Sequence, residues 1–217
     1  MFVDRAHAGR TLAEALQGYK GASDAIVLGI PRGGVVVAAE VARELDLPLD
    51  VAVAAKVGAP GNPEYAVGAV ASDGEVSVNP SAGYSRDEVK QFASDAHVKV
   101  ERYLKLLREG RPPLELKGKT ALLVDDGLAT GLTARAAAEW LRRQGVARII
   151  VAVPVASSSA VASLRASADE VIAVSVPAGF YAVGQFYERF GQTEDAEVRE
   201  LLGEAMSGGN QHAAVRT

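Results

Sequence analysis

The sequence lacks cysteine altogether and is poor in histidine and aromatic residues. Of its 217 residues, none is cysteine, three are histidine and 6% are aromatic. The absence of cysteine excludes disulfides, thiol nucleophiles and thiolate zinc sites. His7, His97 and His212 lie far apart and in no metal-ligand spacing. A histidine metal centre is therefore not expected.

Long apolar runs and an excess of positive charge are also missing. No stretch approaches the roughly 20 apolar residues of a membrane-spanning helix, and the opening MFVDRAHAGR has no apolar signal-peptide region. The formal net charge of −4 disfavours nucleic acid as a partner. We therefore expect a cytoplasmic protein that binds neither membranes nor nucleic acid.

The sequence does contain short apolar runs that alternate with helical patterns. Apolar residues make up 48% of the chain, enough for the core of one sizeable domain. The alternation predicts an α/β fold with a parallel sheet covered on both faces. Ligands of such sheets bind at the carboxyl ends of the strands. The predicted strands are 24–30, 49–57, 120–126, 147–155 and 170–176.

The segment between the second and third of these strands has features of its own. GAPGNPE (58–64) predicts a mobile loop, and YAVGAVAS with GEVSVN predicts a hairpin that turns at Asp73-Gly74. An apolar stripe predicts one long helix over 85–109, with Ser85 and Glu88 as a capping box. We expect a single domain over 1–205, with 85–110 as a helical insertion and 206–217 as a disordered tail.

The stretch VDDGLATGLT, residues 124–133, combines two adjacent carboxylates with a loop suited to an anion. Asp125 and Asp126 repel each other, and hydrogen bonds from a ribose diol or a divalent metal would offset that repulsion. Glycines, threonine hydroxyls and the N-terminus of the next helix form a phosphate site. Together they describe a ribose 5-phosphate. LLVDD also resembles a Walker B strand, but the chain has no P-loop.

An apolar strand, Asp-Asp and Thr-Gly-x-Thr together resemble the phosphoribosyl-pyrophosphate motif of type I phosphoribosyltransferases. The resemblance implies a central parallel sheet of about five strands, flanked by helices. It also implies a small hood from about 1–20 and 177–205. The residues that it assigns to the ribose and 5-phosphate are Asp125, Asp126, Gly127, Leu128, Ala129, Thr130, Gly131, Leu132 and Thr133.

Two further segments match the diphosphate-binding parts of the family. Arg32, Gly33 and Gly34 follow the first strand, and their amides and guanidinium suit a pyrophosphate. The resemblance implies that Lys56 contacts the diphosphate and that one or two Mg²⁺ ions neutralise it. The chain departs from the family pattern at Ala55, where an arginine is common.

The acid or base and the acceptor are less well defined. Lys56 and Glu64 are the candidate catalytic residues, although the spacing of Glu64 differs from that in the adenine enzymes. Ala129 replaces the aspartate of hypoxanthine and guanine enzymes. VPAGFYAVGQFYERF nevertheless resembles the hood of the hypoxanthine and guanine enzymes. The resemblance implies that Phe180 or Tyr181 stacks on the base and that Glu188, together with Asp125, lies toward a metal. The base class therefore stays open.

The sequence thus predicts transfer of a phosphoribosyl group from phosphoribosyl pyrophosphate to a nitrogenous acceptor, with Mg²⁺ as cofactor. One alternative is a regulatory protein of this fold that senses phosphoribosyl pyrophosphate or a nucleotide without transferring anything. Another is a phosphohydrolase or phosphorylase that acts on ribose phosphates. A homodimer is a further expectation, with 85–110 as an oligomer contact or a lid.

Overall fold

The computed structural model describes the backbone of residues 1–108 and 112–213. Side chains are described throughout these ranges except at 108 and 206–213. Within this part of the chain, no helix is both long enough and apolar enough to cross a membrane.

A five-stranded parallel sheet forms the centre of the molecule, which confirms the predicted fold class. Its strand order is β2-β1-β6-β7-β8. The register places Gly29, the last residue of β1, opposite Val124, the last residue of β6. The carboxyl ends of these neighbouring strands therefore meet at one edge. The strands are β1 (Ala25–Gly29), β2 (Leu49–Val51), β6 (Thr120–Val124), β7 (Arg148–Val155) and β8 (Glu170–Ser175).

Alternate strand residues point to opposite faces of the sheet. Both sets are apolar and buried, and helices cover both faces. Val27 and Leu122 belong to one buried cluster with residues of α1 and α2, whereas Leu28 and Leu123 belong to another with residues of α5 and α6. These helices are α1 (Arg5–Ala15), α2 (Gly33–Leu45), α5 (Leu132–Arg143) and α6 (Ser158–Leu164).

A second, antiparallel sheet of order β3-β4-β5 corrects two predictions. The chain leaves the main sheet after Ala52, so the predicted strand 49–57 is two strands. At this point the hydroxyl of Ser72 accepts from the N–H of Val53 and donates to its carbonyl. The predicted mobile loop 58–64 belongs to a hairpin with a short turn. The hairpin that turns at Asp73-Gly74 is confirmed. The strands are β3 (Ala54–Ala59), β4 (Asn62–Ala71) and β5 (Val76–Val78).

The predicted helix over 85–109 is also corrected. The capping box of Ser85 and Glu88 is present, but the helix is divided at Ala93 into α3 (Arg86–Phe92) and α4 (Ser94–Arg108). Ala93 is fully buried, and its ψ of −1° departs from helical geometry. Residue 109 lies outside the described part of the chain.

The N-terminal segment pairs with the segment that follows β8. Phe2 pairs with Tyr187 in a parallel bridge, and Arg189 forms an ion pair with Asp4. A last helix, α7 (Asp195–Ala213), follows this segment. It enters the segment 206–217 predicted to be disordered, of which 214–217 lie outside the described residues. The disordered tail therefore stays a prediction.

Candidate functional site

Two loops emerge side by side at the carboxyl edge of the main sheet. One follows β1 and runs from Ile30 into α2; the other follows β6 and runs from Asp125 into α5. The N–H of Ile30 donates to the carbonyl of Val124 at 2.9 Å, so the two loops start in contact. The structure thus brings the predicted pyrophosphate and ribose-phosphate segments together, at the edge where parallel sheets bind ligands.

The glycine pair at the start of α2 packs directly against the two acidic side chains. A Cβ built on Gly34 would lie 2.8 Å from both Cα and Oδ1 of Asp125. A Cβ on Gly33 would overlap Asp126 Oδ2 and lie 2.6 Å from the Nε of Arg5. A larger residue at either position would push the loops apart. The glycines therefore let the N-terminus of α2 approach the carboxylates.

Each of the two carboxylates has one oxygen held and one without a hydrogen bond. Asp125 Oδ1 accepts from the N–H of Asp126 at 2.8 Å, and Asp126 Oδ2 accepts from Arg5 Nε at 2.7 Å. Asp125 Oδ2 and Asp126 Oδ1 make no hydrogen bond within the described ranges. Two carboxylate oxygens on adjacent residues are what a vicinal diol needs as acceptors.

Burial raises the pKa of both carboxyl groups. For Asp125, burial is the main cause and the charge of Asp126 adds to it, so its pKa lies well above the usual range. For Asp126, burial also raises the pKa, but the hydrogen bond and the charge of Arg5 oppose the rise. The pair is therefore electrostatically costly in the absence of a cation or hydroxyl donors.

The loop between Asp126 and α5, called the cradle below, ends at the uncapped N-terminus of that helix. Gly131 has φ +73°, a left-handed conformation that favours glycine, and it is the N-cap of α5. No side chain caps this end and no acidic residue lies in the first turn of α5, an arrangement that leaves the helix dipole unopposed there. The hydroxyls of Thr130 and Thr133 likewise make no hydrogen bond in the described structure.

The cradle is anchored to the end of β7 and the start of α6. Leu128 is buried and forms a parallel bridge with Ala156. The hydroxyl of Ser157 donates to the carbonyl of Ala129 at 2.6 Å and accepts from the N–H of Ala160 at 3.0 Å. A Cβ on Gly127 would meet Val183 at 2.5 Å, so the loop also packs against the hood segment.

Tyr187 and Arg5 join the hood to the acidic pair. The buried Tyr187 donates its hydroxyl to the carbonyl of Asp126 at 2.6 Å. Arg5 was missed from the sequence because it stands 121 residues from Asp126 and in no known motif. One signal was present: a cation at the first position of a helix opposes the helix dipole, which usually calls for a specific partner.

Arg32 lies near an acidic residue of the last helix. Its Nη1 is 3.8 Å from Asp195 Oδ1, whose other oxygen accepts from Arg102 of α4 at 3.0 Å. Asp195 Oδ1 is buried and has no hydrogen-bond partner in the described structure. Helix α4 and the loop after β1 are therefore linked through one carboxylate.

The candidate catalytic residues Lys56 and Glu64 lie on the β3–β4 hairpin and contact each other. Lys56 Nζ is 3.2 Å from Glu64 Oε2, and the Glu64 side chain is 93% exposed. Neither residue forms a described hydrogen bond or ion pair with the loops after β1 and β6. Their catalytic roles stay predictions.

The aromatic residues expected at the base differ in their surroundings. Phe180 packs against Phe186 with ring centroids 5.2 Å apart, whereas Tyr181 is 92% exposed. Exposure leaves the face of Tyr181 open to a ligand, and Phe180 is partly used in the hood's own packing. Glu188 is exposed, and its backbone N–H donates to the carbonyl of Phe2. No described contact joins Glu188 to Asp125.

Asp125 is the residue that would hold Mg²⁺ in this site. No group of three or more His, Cys, Asp or Glu residues capable of holding a metal occurs among the described residues. Mg²⁺ is commonly held by only one or two carboxylates together with substrate phosphates. The unbonded oxygen of Asp125 suits such a partial site, and a cation there would offset the cost that its raised pKa reflects.

A comparison with family models identifies the architecture. A model of the phosphoribosyl transferase domain matches residues 4–186. The chain belongs to the phosphoribosyl transferase family. The match includes both loops at the carboxyl edge and ends in the hood, before α7. It confirms the resemblance that the Asp-Asp and Thr-Gly-x-Thr motif indicates.

Individual relatives agree with this assignment. The crystal structure of the protein TT1426 from Thermus thermophilus has a TM-score of 0.80 and 46% identity, covering 94% of this chain and 98% of that one. A protein of Mycobacterium tuberculosis (strain ATCC 25618 / H37Rv), provisionally named phosphoribosyl transferase Rv0571c, is 42% identical over 209 residues. These cover 94% of this chain and 47% of that protein. The chain thus spans about half the length of the curated relatives it matches.

A shorter match involves an enzyme named for ribose phosphate. Ribose-phosphate pyrophosphokinase from Parasynechococcus marenigrum (strain WH8102) is 39% identical over 93 residues, which cover 42% of this chain and 28% of that enzyme.

Proposed function

We propose that this phosphoribosyltransferase domain moves a 5-phosphoribosyl group from phosphoribosyl pyrophosphate to a nitrogen atom of a nucleobase-like acceptor and releases diphosphate. The observation that carries the proposal is the contact between the two loops. The two aspartates after β6 pack against the glycines of the loop after β1 on one side and lead into the uncapped N-terminus of α5 on the other. These are three polar environments in the order of the three parts of that substrate.

The acidic pair is suited to the ribose. The 2- and 3-hydroxyls of the sugar would donate to the unbonded oxygens of Asp125 and Asp126. Such bonds are strong because the acceptors are charged. They would also offset the cost of two largely buried carboxylates side by side, as the raised pKa of each indicates.

The cradle at α5 is suited to the 5-phosphate. The first N–H groups of α5 and the hydroxyls of Thr130 and Thr133 would donate to its oxygens. The positive end of the helix dipole favours the phosphate charge. No acidic side chain lies in the first turn of α5 to repel it.

The glycine loop is suited to the diphosphate. Amides at Gly33 and Gly34 and the guanidinium of Arg32 would contact its oxygens, and Lys56 would join them if it leaves Glu64. Asp125 would hold Mg²⁺ beside the diphosphate, where the ion would neutralise negative charge on the leaving group. The chain's own donors would act in the same direction.

In the proposed reaction a nitrogen lone pair of the acceptor forms a bond to C1 of the ribose. The bond from C1 to the diphosphate oxygen breaks, and its electron pair leaves with the diphosphate. The acceptor nitrogen loses its proton to a base, for which Glu64 is the candidate. The carbon is cation-like at the transition state, so the nearby carboxylates of Asp125 and Asp126 would stabilise it.

Calorimetry followed by product analysis tests the proposal. Phosphoribosyl pyrophosphate with Mg²⁺ is titrated into the wild type, into Asp126→Asn and into the control Asp24→Asn, an exposed aspartate at the opposite edge of the sheet. We expect binding to the wild type and the control, and a loss of about 10-fold or more for Asp126→Asn. An absence of binding by the wild type would contradict the proposal.

A screen of acceptors then separates transfer from the alternatives. Adenine, guanine, hypoxanthine, xanthine, uracil and orotate are each incubated with phosphoribosyl pyrophosphate, and nucleotide and diphosphate are measured. A nucleotide that appears with one base supports transfer. Release of phosphate without a base indicates a hydrolase, and binding without turnover on any base indicates a sensor.

A further inference from the structure

Arg5 is held on three sides at the edge of the candidate site. Its Nε donates to Asp126 Oδ2 at 2.7 Å, and its Nη1 donates to the carbonyl of Gly191 at 2.7 Å. Its guanidinium carbon lies 3.9 Å from the centre of the Phe190 ring, a distance typical of a cation–π contact. The side chain thus bridges the hood segment and the motif after β6.

The Arg5–Asp126 pair is largely removed from solvent. The two side chains are 13% and 16% exposed, far less than surface ion pairs such as that of Arg10 and Glu40, in which the arginine is 50% exposed. Arg5 also stands at the first position of α1, where a positive charge opposes the helix dipole. A costly position with three fixed contacts indicates that the charge serves Asp126.

The geometry at Asp126 shows what the contact achieves. Arg5 occupies one carboxylate oxygen and leaves Oδ1 without a described bond. Oδ2 also lies in the space that the missing side chain of Gly33 leaves, since a Cβ there would overlap it. With Oδ2 held by Arg5, Oδ1 is the oxygen of Asp126 that is left for a ligand.

We propose that Arg5 is the positioning residue of the ribose-binding carboxylate: it clamps Asp126 from the hood side so that one oxygen stays aimed at a sugar hydroxyl. The inference rests on the proposed function, since it takes Asp126 as a ligand of the ribose. It adds a residue from the N-terminal helix to the site. It also makes the hood segment at Phe190 and Gly191 a support of the sugar contact.

The test compares Arg5→Met and Arg5→Lys with the control Arg10→Met, which removes an exposed arginine from the same helix. Calorimetry measures phosphoribosyl pyrophosphate, ribose 5-phosphate and inorganic pyrophosphate. For Arg5→Met we expect affinity for the two ribose-containing ligands to fall about 10- to 100-fold, as for loss of a charged hydrogen bond. Affinity for pyrophosphate should stay within about threefold, because no sugar contacts Asp126 in that complex.

The two remaining variants give graded results. Arg5→Lys should be intermediate, because an ammonium can pair with Asp126 but cannot also reach Gly191 with a planar fork. Arg10→Met should bind all three ligands as the wild type does. Circular dichroism confirms that each variant folds. Should Arg5→Met fail to fold, Phe190→Leu removes the ring under the guanidinium, which also packs against Tyr187, and it should still weaken ribose-containing ligands more than pyrophosphate. Tyr187→Phe, which keeps both rings, is its control.

The outcomes separate this inference from the proposed function. If the wild type does not bind phosphoribosyl pyrophosphate, the proposed function fails. If the wild type binds it and Arg5→Met binds equally well or more tightly, the positioning role is wrong. An equal loss for pyrophosphate would mean that Arg5 is itself an anion ligand, which also overturns the inference.

Discussion

Replacement of Asp125 by asparagine should stabilise the fold while it abolishes the proposed binding of phosphoribosyl pyrophosphate. Burial and the neighbouring charge of Asp126 raise the pKa of Asp125 well above its usual range. Each unit of such a rise costs about 1.4 kcal/mol of folding free energy at neutral pH. The neutral amide of the variant would remove that cost and keep an oxygen that accepts from the N–H of Asp126.

The length of the chain sets how far a given change in the free energy of unfolding shifts Tm. For a domain of this size each kcal/mol shifts Tm by about 2–4 °C. We therefore expect Asp125→Asn to have a higher Tm than the wild type at pH 7 in chelator-treated protein, by about 2–4 °C for each kcal/mol recovered, and to lose binding of phosphoribosyl pyrophosphate. Opposed changes in stability and binding are typical of charged groups in functional sites.

Asp73 provides a control of opposite sign. Burial raises its pKa, but hydrogen bonds from Arg143 and from the N–H of Glu75 outweigh that effect, so the pKa is lowered overall. A carboxyl whose pKa is lowered by folding stabilises the protein above its unfolded pKa. Asp73→Asn should therefore lower Tm at pH 7 and leave ligand binding unchanged.

The pH dependence checks both signs. Folding raises the pKa of Asp125, so the wild type gains stability as pH falls from neutral toward the unfolded-state pKa. The difference in Tm between the wild type and Asp125→Asn therefore narrows. Folding lowers the pKa of Asp73, so the stabilisation that Asp73 contributes is lost as pH falls through its folded-state pKa. The difference in Tm between the wild type and Asp73→Asn therefore also narrows. A lower Tm of Asp125→Asn than of the wild type at pH 7 would refute the reasoning.

Three further predictions concern the loops around the acidic pair. Gly34→Ala places a Cβ 2.8 Å from the backbone of Asp125, which should cost about 1–3 kcal/mol in thermal unfolding; Gly18→Ala, with nothing within 4 Å of its Cβ, is the control, and an unchanged Tm for Gly34→Ala would contradict the packing. Ser157→Ala removes the cap of α6 and the bond to Ala129 and should cost about 1–2 kcal/mol; the description of the cradle is wrong if affinity for ribose 5-phosphate does not fall with stability. Tyr187→Phe removes the bond to the carbonyl of Asp126 and should cost about 0.5–1.5 kcal/mol in denaturant unfolding; a gain in stability would argue against that bond.

The motif and the sheet could be predicted because their signals are local. The strand before Asp125-Asp126, the glycine turn and the following helix all lie within residues 120–143. The hydrophobic period predicts the strand and the helix, and the glycines predict the turn. Gly33 and Gly34 likewise follow directly from the end of an apolar run. Parallel strands then bring the two loops to one edge without further information.

The second sheet and the divided helix could not be predicted for a physical reason. From Leu49 to Val57 the apolar pattern continues without a glycine or proline, so nothing local marks the departure of the chain after Ala52. The stripe that predicts one helix also continues through Ala93, which is buried by packing from elsewhere in the chain. Tertiary contacts decide both breaks.

Arg5 shows the same limit for the site. Its partners Asp126, Phe190 and Gly191 are far away along the chain, and no spacing rule connects them. The roles of Lys56 and Glu64 depend on where the β3–β4 hairpin lies when ligand is bound, which local patterns do not encode.

A crystal structure with phosphoribosyl pyrophosphate and Mg²⁺ tests the central claim most directly. We expect the ribose hydroxyls at Asp125 and Asp126, the 5-phosphate at the N–H groups of 131–133, and the diphosphate at Arg32, Gly33 and Gly34. A ligand bound away from these loops, or reversed so that the 5-phosphate lies on Gly33 and Gly34, would contradict it.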